Sequence, residues 1–452
     1  MYFLNILKNP DNSIKSFSFS KESYINNISI IDNLYELFSD ENKSSLENSS
    51  LEEIIYSLNN IEIGDEKICL KFHNSVVDFS DLEEINLSKS EVVLFDLVKI
   101  NNNKSPIETY SFNEKLLIFP NLNFTIEYLN YFLNLYESLV DIFEQSILTN
   151  FLSSYNGSIK RVGGLNSLIF NSIEEIIFYR KWQKYFKEFN KFERIECPKK
   201  TKLILPMAGM GTRFSNKGYK VAKPFIEVSG KPMISKAIEC LPQTDSQYLG
   251  CLKDHIEKYN LKNDFESFFN GVNIVPIEKV TSGQAVTCQL MLNHIDDLKE
   301  PILISACDNG IYYNNFLLKN LFDDKDVDII VFSYKNQESS FYRPEMYSWL
   351  EIDEFNSIKH VHCKHFPFQS PLNNFAIIGT MYFKEANFFL NGLNQNISND
   401  IRNNGEFYVD EVINRCIEVG LRVKMFEVYN YICWGTPEDL ETYNFWESYF
   451  SK

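Results

Sequence analysis

Residues 203–234 read LILPMAGMGTRFSNKGYKVAKPFIEVSGKPMI, and they decide how the second half of the chain is understood. Leu203–Leu205 is a short apolar run that fits a buried strand. A glycine turn follows at once, Ala208-Gly209-Met210-Gly211-Thr212, and Arg213 stands directly after it. Glycines at a strand end let backbone N–H groups approach an anion closely. An arginine beside them adds a planar, permanently charged clamp for phosphate. Two isolated lysines come next, Lys223 before Pro224 and Lys231 before Pro232. The chemistry is that of a nucleotide-phosphate site. It is not the dinucleotide fingerprint G-x-G-x-x-G, although Glu227 stands at a suitable distance, because Phe214 occupies the third glycine position. A Walker A loop is excluded as well, since no Gly-Lys-Ser/Thr closes the turn.

The stretch resembles the signature of the sugar-phosphate nucleotidyltransferases (pyrophosphorylases), G-x-G-T-R followed by K-P. Further segments follow in the order of that family. Thr281-Ser282-Gly283-Gln284-Ala285 resembles its small-residue loop for the nucleoside base. Pro301–Ala306 is an apolar run with Asp308 at its end, Ala376–Phe383 resembles the glycine-bearing strand beside the acceptor, and Glu406–Asp410 resembles the segment with a second metal carboxylate. Trp434–Leu440 reads W-G-T-P-E-D-L, close to the family's terminal stretch. The resemblance spans residues 201 to about 447.

The resemblance implies a doubly wound, mixed α/β sheet of Rossmann-like nucleotidyltransferase type, with nucleotide at the strand C-termini. It also implies joining an NTP to a phosphorylated sugar or small metabolite, with release of pyrophosphate. Arg213 and Lys223 take the catalytic places, on the β/γ- and α-phosphates. Ala208, Gly209, Met210, Gly211, Thr212, Ser282, Gly283 and Gln284 take the nucleotide-binding places. Lys364, Gly379 and Glu406 face the acceptor, although Lys364 lacks the flanking Glu and Pro of the family pattern. Asp308 and Asp410 would ligate Mg²⁺, which prefers one or two carboxylates plus phosphate oxygens and water. The likeness leans toward cytidylyltransferase-like members of capsule and lipopolysaccharide pathways, so CTP is favoured over UTP or dTTP and a bacterial surface-polysaccharide precursor is the expected product.

Two other readings stay open. A nucleotide-sugar-dependent glycosyltransferase uses an Asp-x-Asp metal site after a strand, whereas Asp326-Val327-Asp328 precedes the apolar run Ile329–Phe332. A non-catalytic nucleotide-binding regulator keeps the fold but sheds charged groups, and Arg213, Lys223, Asp308 and Asp410 are all retained. Lys359–His365 holds three of the six histidines in the chain. On a strand His360 and His362 share a face, but a complete zinc set is not evident.

A net charge of −17 opposes general nucleic-acid binding, which needs a basic face. Nine cysteines without paired spacing, no run of about 18 apolar residues and a polar opening segment together predict a cytoplasmic protein without a transmembrane segment. At 452 residues, more than one domain is expected: an α+β domain of unrecognised type over 1–198, then the nucleotidyltransferase domain over 201–452. In the first domain, strands are expected at Lys67–Phe72, Glu91–Ile100 and Lys115–Phe119. A helix is expected over about 125–148, where Ile126, Leu129, Leu133, Tyr136 and Val140 recur at helical steps, as a core helix or as the seam of a homodimer. A second helix over 172–194 mixes Lys181, Lys184 and Lys187 with Trp182 and Phe186, which suits either a linker helix with one packed face or a membrane or acidic partner.

Overall fold

The computed structural model describes seven strands between residues 2 and 169, the helix Ile173–Glu188, and residues 192–258 and 272–451. The expected helix over 125–148, and any dimer seam on it, lies outside the described residues. The chain divides into two compact units, Met1–Arg180 and Lys181–Lys452.

In the first unit the strands are β1 (Tyr2–Lys8), β2 (Ile14–Lys21), β3 (Ile68–Phe72), β4 (Ser75–Val77), β5 (Glu91–Lys99), β6 (Lys115–Phe119) and β7 (Ser158–Ile169). They form one mixed sheet in the order β2-β1-β3-β6-β5-β7-β4. The three strands expected from sequence are β3, β5 and β6, each within a residue of the expected ends.

The second unit contains β8 (Lys202–Met207), β9 (Glu227–Val228), β10 (Lys231–Pro232), β11 (Ser246–Leu252), β12 (Val272–Ile277), β13 (Ile302–Ile304), β14 (Asn309–Tyr312), β15 (Ile329–Tyr334), β16 (Trp349–Ile352), β17 (Ile358–His362), β18 (Ala376–Phe383), β19 (Val423–Glu427) and β20 (Asn430–Cys433). Its main sheet runs β12-β11-β8-β13-β18-β15-β19. Within it β12, β11, β8 and β13 are mutually parallel, β15 is parallel to β19, and β18 is antiparallel to both of its neighbours. This is a doubly wound, mixed α/β sheet. The chain passes from β8 outward to β11 and β12, then returns to lay β13 on the other side of β8. That reversal makes a crevice beyond the carboxyl ends of β8 and β13, where open α/β sheets bind ligands.

The central strands β13, β15 and β18 are almost wholly buried because both faces of the sheet are covered there. Alternate residues divide between two cores. Ile204, Ile302, Ile304, Ile329 and Val331 face one, with the helices Gln284–Leu292, Ala386–Ser398 and Val409–Glu418 packed on it. Leu203, Leu205, Leu303, Ile330 and Phe332 face the other, with the helix Met233–Cys240. All ten are essentially inaccessible to water, and each such side chain contributes roughly 1.5–3 kcal/mol by burial. The hydroxyls of Ser305 and Thr380 are also buried, and they satisfy each other at 2.8 Å.

The helix Ile173–Glu188 is shorter than the expected 172–194. Its second half resolves the mixture of bases and aromatics seen in the sequence. Trp182 and Tyr185 are buried; Trp182 stacks with Trp446 and Phe186 with Phe450 of the terminal helix Pro437–Phe450, and both meet the Tyr443 ring at a tilt. Lys184 lies over the Tyr429 ring, 4.4 Å from its centroid. Lys181 donates to the Tyr429 carbonyl, and burial pushes its ammonium down to about 8. Among the described residues no helix is long and apolar enough to cross a membrane.

The terminal helix begins on an N-cap. The Thr436 Oγ1 accepts the Asp439 N–H at 3.1 Å and donates to Asp439 Oδ2 at 2.7 Å, while Arg343 holds the other oxygen of that carboxylate. Thr436→Val keeps the shape and removes the cap. It should lower stability by about 1–2 kcal/mol, as read from the urea midpoint of the full chain.

Candidate active site

The crevice beyond β8 and β13 is a cleft of about 570 Å³. Its floor starts with the glycine turn. Gly211 adopts a left-handed φ of 62° and starts the short helix Thr212–Asn216, its carbonyl accepting the Phe214 and Ser215 N–H groups. A Cβ on Gly211 would stand 3.2 Å from the Lys223 Cβ, so both conformation and space call for glycine there. A Cβ on Gly209 would meet nothing within 4 Å; that glycine leaves its backbone open to the cleft. Phe214, where a dinucleotide fold has its third glycine, is buried, and its ring lies 5.8 Å from the Lys223 ammonium. Ala208, Gly209, Gly211, Thr212 and Arg213 line the cleft. Met210 is 62% exposed and is not part of the lining. Arg213 is exposed and has no ion-pair partner among the described residues.

Lys223 reaches across to Asp308, with Nζ 2.5 Å from Oδ2. Asp308 lies between β13 and β14, and Lys223 lies in the connection that follows β8, so this ion pair ties together the segments that follow two adjacent parallel strands. Burial alone would raise the Asp308 carboxyl. The charge and hydrogen bond of Lys223, its own backbone N–H and the charge of Lys364 outweigh burial and hold it below the usual aspartate range. For Lys223 burial alone would depress the ammonium; Asp308 offsets it and leaves the group above the usual lysine range. The W-G-T-P-E-D-L stretch closes over this pair. The Trp434 N–H donates to the Asp308 carbonyl at 2.8 Å, and a Cβ on Gly435 would stand 3.3 Å from Asp308 Oδ2. The fully buried Trp434 ring in turn packs on Gly310, whose Cβ would overlap it at 2.9 Å.

The opposite wall is stitched together by backbone. In the 281–285 loop Gly283 has φ 137°, and a Cβ there would overlap the Phe407 backbone at 2.4 Å. The Phe407 N–H donates to the Ser282 carbonyl at 2.9 Å, and the Phe407 carbonyl accepts the Ala285 N–H at 3.1 Å. Gly283 and Gln284 line the cleft, as do Glu406, Tyr408 and Asp410; Ser282 does not. Asp410 lies in the first turn of the helix Val409–Glu418 and is 8% exposed. Gly379 lies where β15 and β18 slip register, with φ 87°, and it also lines the cleft. Lys364 follows β17 in a left-handed conformation with φ 50°. Its ammonium donates to the Met346 carbonyl at 2.9 Å and lies 5.2 Å from the Tyr408 ring centroid.

The fold therefore gathers the glycine turn, Arg213, Lys223, Gly283, Gln284, Asp308, Lys364, Gly379, Glu406 and Asp410 around one cleft, from segments spread over some two hundred residues. Sequence reading missed Ser348, a buried serine that touches both Asp410 and Lys364; no local pattern marks it. Lys231 pairs with Glu239 at the surface instead of entering the cleft. His362 contacts Glu351 at 2.7 Å, and its ring centroid lies 4.7 Å from that of His360 on the same face of β17. Asp326 and Asp328 are both held by Arg422 just before β15, so they do not form the free Asp-x-Asp that a glycosyltransferase needs.

The donor set suits Mg²⁺ that arrives with phosphate. Among the described residues no three His, Cys, Asp or Glu side chains gather around one metal-sized point. The charged side chains of the lining are three cations (Arg213, Lys223, Lys364) and three carboxylates (Asp308, Glu406, Asp410). A polyphosphate thus meets no net positive charge from the protein, and two carboxylates are the number Mg²⁺ accepts when phosphate oxygens and water complete its shell.

No family model and no curated protein matches the chain. Solved structures do show likeness in fold. A nucleoside-diphosphate-sugar pyrophosphorylase from Vibrio cholerae RC9 is 15% identical, the match covering 53% of this chain and 98% of that one, with a TM-score of 0.44. An inositol-1-phosphate CTP transferase from T. maritima is 18% identical over 56% of this chain and 96% of that one, with a TM-score of 0.43. A UDP-glucose pyrophosphorylase complexed with UDP-glucose is 16% identical over 56% and 98%, also with a TM-score of 0.43.

The Lys223–Asp308 pair has a pH signature. Asp308 is depressed on folding, so its contribution to stability is complete above the ordinary aspartate range and is lost as pH falls through the folded value. Lys223 is raised, so its contribution is complete below the ordinary lysine range and is lost as pH rises through the folded value. Lys223→Met leaves a partly exposed carboxylate without its partner and should cost on the order of 1 kcal/mol at neutral pH. In urea unfolding the gap to wild type should narrow on acidification toward pH of about 3. A gap that stays constant would mean that the lysine contributes packing alone.

Proposed function

We propose that residues 181–452 carry a Mg²⁺-dependent nucleotidyltransferase that joins an NTP, CTP in the first instance, to a phosphorylated small molecule and releases pyrophosphate. The observation that supports this most directly is the meeting of Arg213, Lys223, Asp308, Lys364 and Asp410 around the switch-point cleft that the open glycine turn floors. In this reading the backbone of Ala208–Thr212 and the guanidinium of Arg213 hold the β- and γ-phosphates, and Gln284, at the start of its helix, faces the base. The acceptor lies against Gly379 and Glu406, with Lys364 on its phosphate. An oxygen of that phosphate attacks the α-phosphorus. A new P–O bond forms as the bond to the β-phosphate bridging oxygen breaks, and pyrophosphate leaves with the electron pair. Lys223 moves from Asp308 to the α-phosphate as charge builds there. Asp308 and Asp410 would hold Mg²⁺, which when bound supplies the positive charge that the balanced lining lacks.

This division of labour asks the protein for positioning and charge neutralisation, with no covalent chemistry of its own. The lean to CTP and to a bacterial surface-polysaccharide precursor rests on the motif resemblance. The N-terminal unit has no assigned role in it.

Purified full-length protein with Mg²⁺ should release pyrophosphate from one NTP in the presence of one phosphorylated acceptor, when CTP, UTP, dTTP, ATP and GTP are crossed with sugar phosphates and small phosphorylated alcohols and amines. Arg213→Ala should lower that rate on the order of a hundredfold, and Asp308→Ala should abolish it. Nucleotide binding should vanish on removal of the divalent cation. Nucleotide binding that is equally tight in EDTA would sink the proposed role of Asp308 and Asp410.

A further inference from the structure

Ser348 stands immediately before β16 and is 1% exposed. Its carbonyl and its hydroxyl are both engaged by residues distant in sequence. Its carbonyl accepts the Ile377 N–H at 2.8 Å, which ties it to β18. Its hydroxyl lies 2.6 Å from Asp410 Oδ2 and 3.1 Å from the Lys364 backbone nitrogen. The directions are forced. A backbone N–H can only donate, so the hydroxyl oxygen accepts from Lys364; a hydroxyl has one proton, and that proton goes to the Asp410 carboxylate.

Both partners of this hydroxyl need holding. Asp410 is buried in the first turn of its helix, and its side chain has more than one staggered rotamer, of which the observed one meets Ser348. A hydrogen bond from Ser348 takes one oxygen and leaves the other available. Lys364 holds a left-handed backbone with φ 50°, a conformation that costs a residue with a Cβ of order 1 kcal/mol or more. Its N–H bond to Ser348 and its Nζ bond to the Met346 carbonyl hold it there. We propose that Ser348 is a positioning residue that orients the second metal carboxylate and the acceptor-phosphate lysine together, through one hydroxyl. This rests on the assignment of Asp410 and Lys364 made under the proposed function. A merely structural serine would fix the start of β16 by its carbonyl; its hydroxyl would be under no obligation to contact both charged residues.

The test uses the full chain and Mn²⁺–CTP as probe, with binding followed by water-proton relaxation and folding by thermal melting. Ser348→Ala should weaken Mn²⁺–CTP binding about tenfold, the scale of losing a partner that orients a metal ligand. Asp410→Asn should weaken it at least as much. The double variant should be no weaker than Asp410→Asn by more than about twofold, since a hydroxyl that acts through Asp410 has nothing left to orient. Should Ser348→Ala fail to fold, Ser348→Cys keeps the size and a weak donor, and it should fall between wild type and Asp410→Asn. Wild-type binding by folded Ser348→Ala or Ser348→Cys, with Asp410→Asn weakened, overturns the role of Ser348 and leaves the site assignment standing. Full additivity in the double variant overturns it as well. Wild-type binding by Asp410→Asn, or no Mn²⁺–CTP binding by the wild-type chain, removes the site assignment itself and the proposal with it.

Discussion

The ion pair between Lys223 and Asp308 is the contact on which the site depends. It joins the connection after β8 to the segment between β13 and β14, where β8 and β13 are parallel neighbours. Taking two charges out of water is expensive, so a pair of this kind adds little to stability. What it contributes is position. Glycines on both sides make room for it: Gly211 lets the turn pass the Lys223 side chain, and Gly435 lets the final loop pass the Asp308 carboxylate. Larger side chains at either position would push one partner away from the other. The terminal W-G-T-P-E-D-L stretch is therefore best understood as a brace on Asp308, by a backbone hydrogen bond from Trp434 and by the absence of a side chain at Gly435.

The second wall uses another device. There the loop 281–285 and the segment 406–408 are bonded backbone to backbone, so that Gln284 and Asp410 keep a fixed relation. The first wall carries one surplus positive charge and the second one surplus negative charge. The lining balances cations against carboxylates one for one, in a chain whose net charge is −17. A protein of that charge repels free polyphosphate at long range. In the proposed reaction a divalent cation brought in by the nucleotide would change this balance locally, so carboxylates in the lining are compatible with an anionic ligand.

The parts legible in the sequence were those governed by local rules. Strands buried on both faces appear as continuous apolar runs, and β8, β13, β15 and β18 are all of that kind. A glycine that must be left-handed or must yield space appears as a glycine, as at Gly211 and Gly283. Contacts made by ordinary polar residues across the fold leave no such trace. Ser348 meets Asp410 across 62 positions, and Arg422 neutralises Asp328 across 94. The first of these adds a residue to the site; the second removes the aspartates on which a rival reading depended. The helix 173–188 shows the same limit. Its lysines and aromatics fit a membrane face as well as a packed one in one dimension, and only the rings of Tyr443, Trp446 and Phe450 decide between them.

The two carboxylates of the cleft are thus held by unlike means. Asp308 is fixed by a charge and by the backbone of the final loop; Asp410 is fixed by a neutral hydroxyl from the residue just before β16. The difference has a chemical consequence. An ammonium partner must be displaced, or must share its carboxylate, when a cation binds, whereas a hydroxyl partner donates equally well to a carboxylate with a metal on its other oxygen. If the two carboxylates hold a cation as proposed, Asp410 would accept it with its Ser348 bond kept, whereas Asp308 would have to share its carboxylate with Lys223 or give the lysine up. Either way the hold of Lys223 on Asp308 would be weaker with the site loaded, which would favour its passage to the α-phosphate in the proposed reaction.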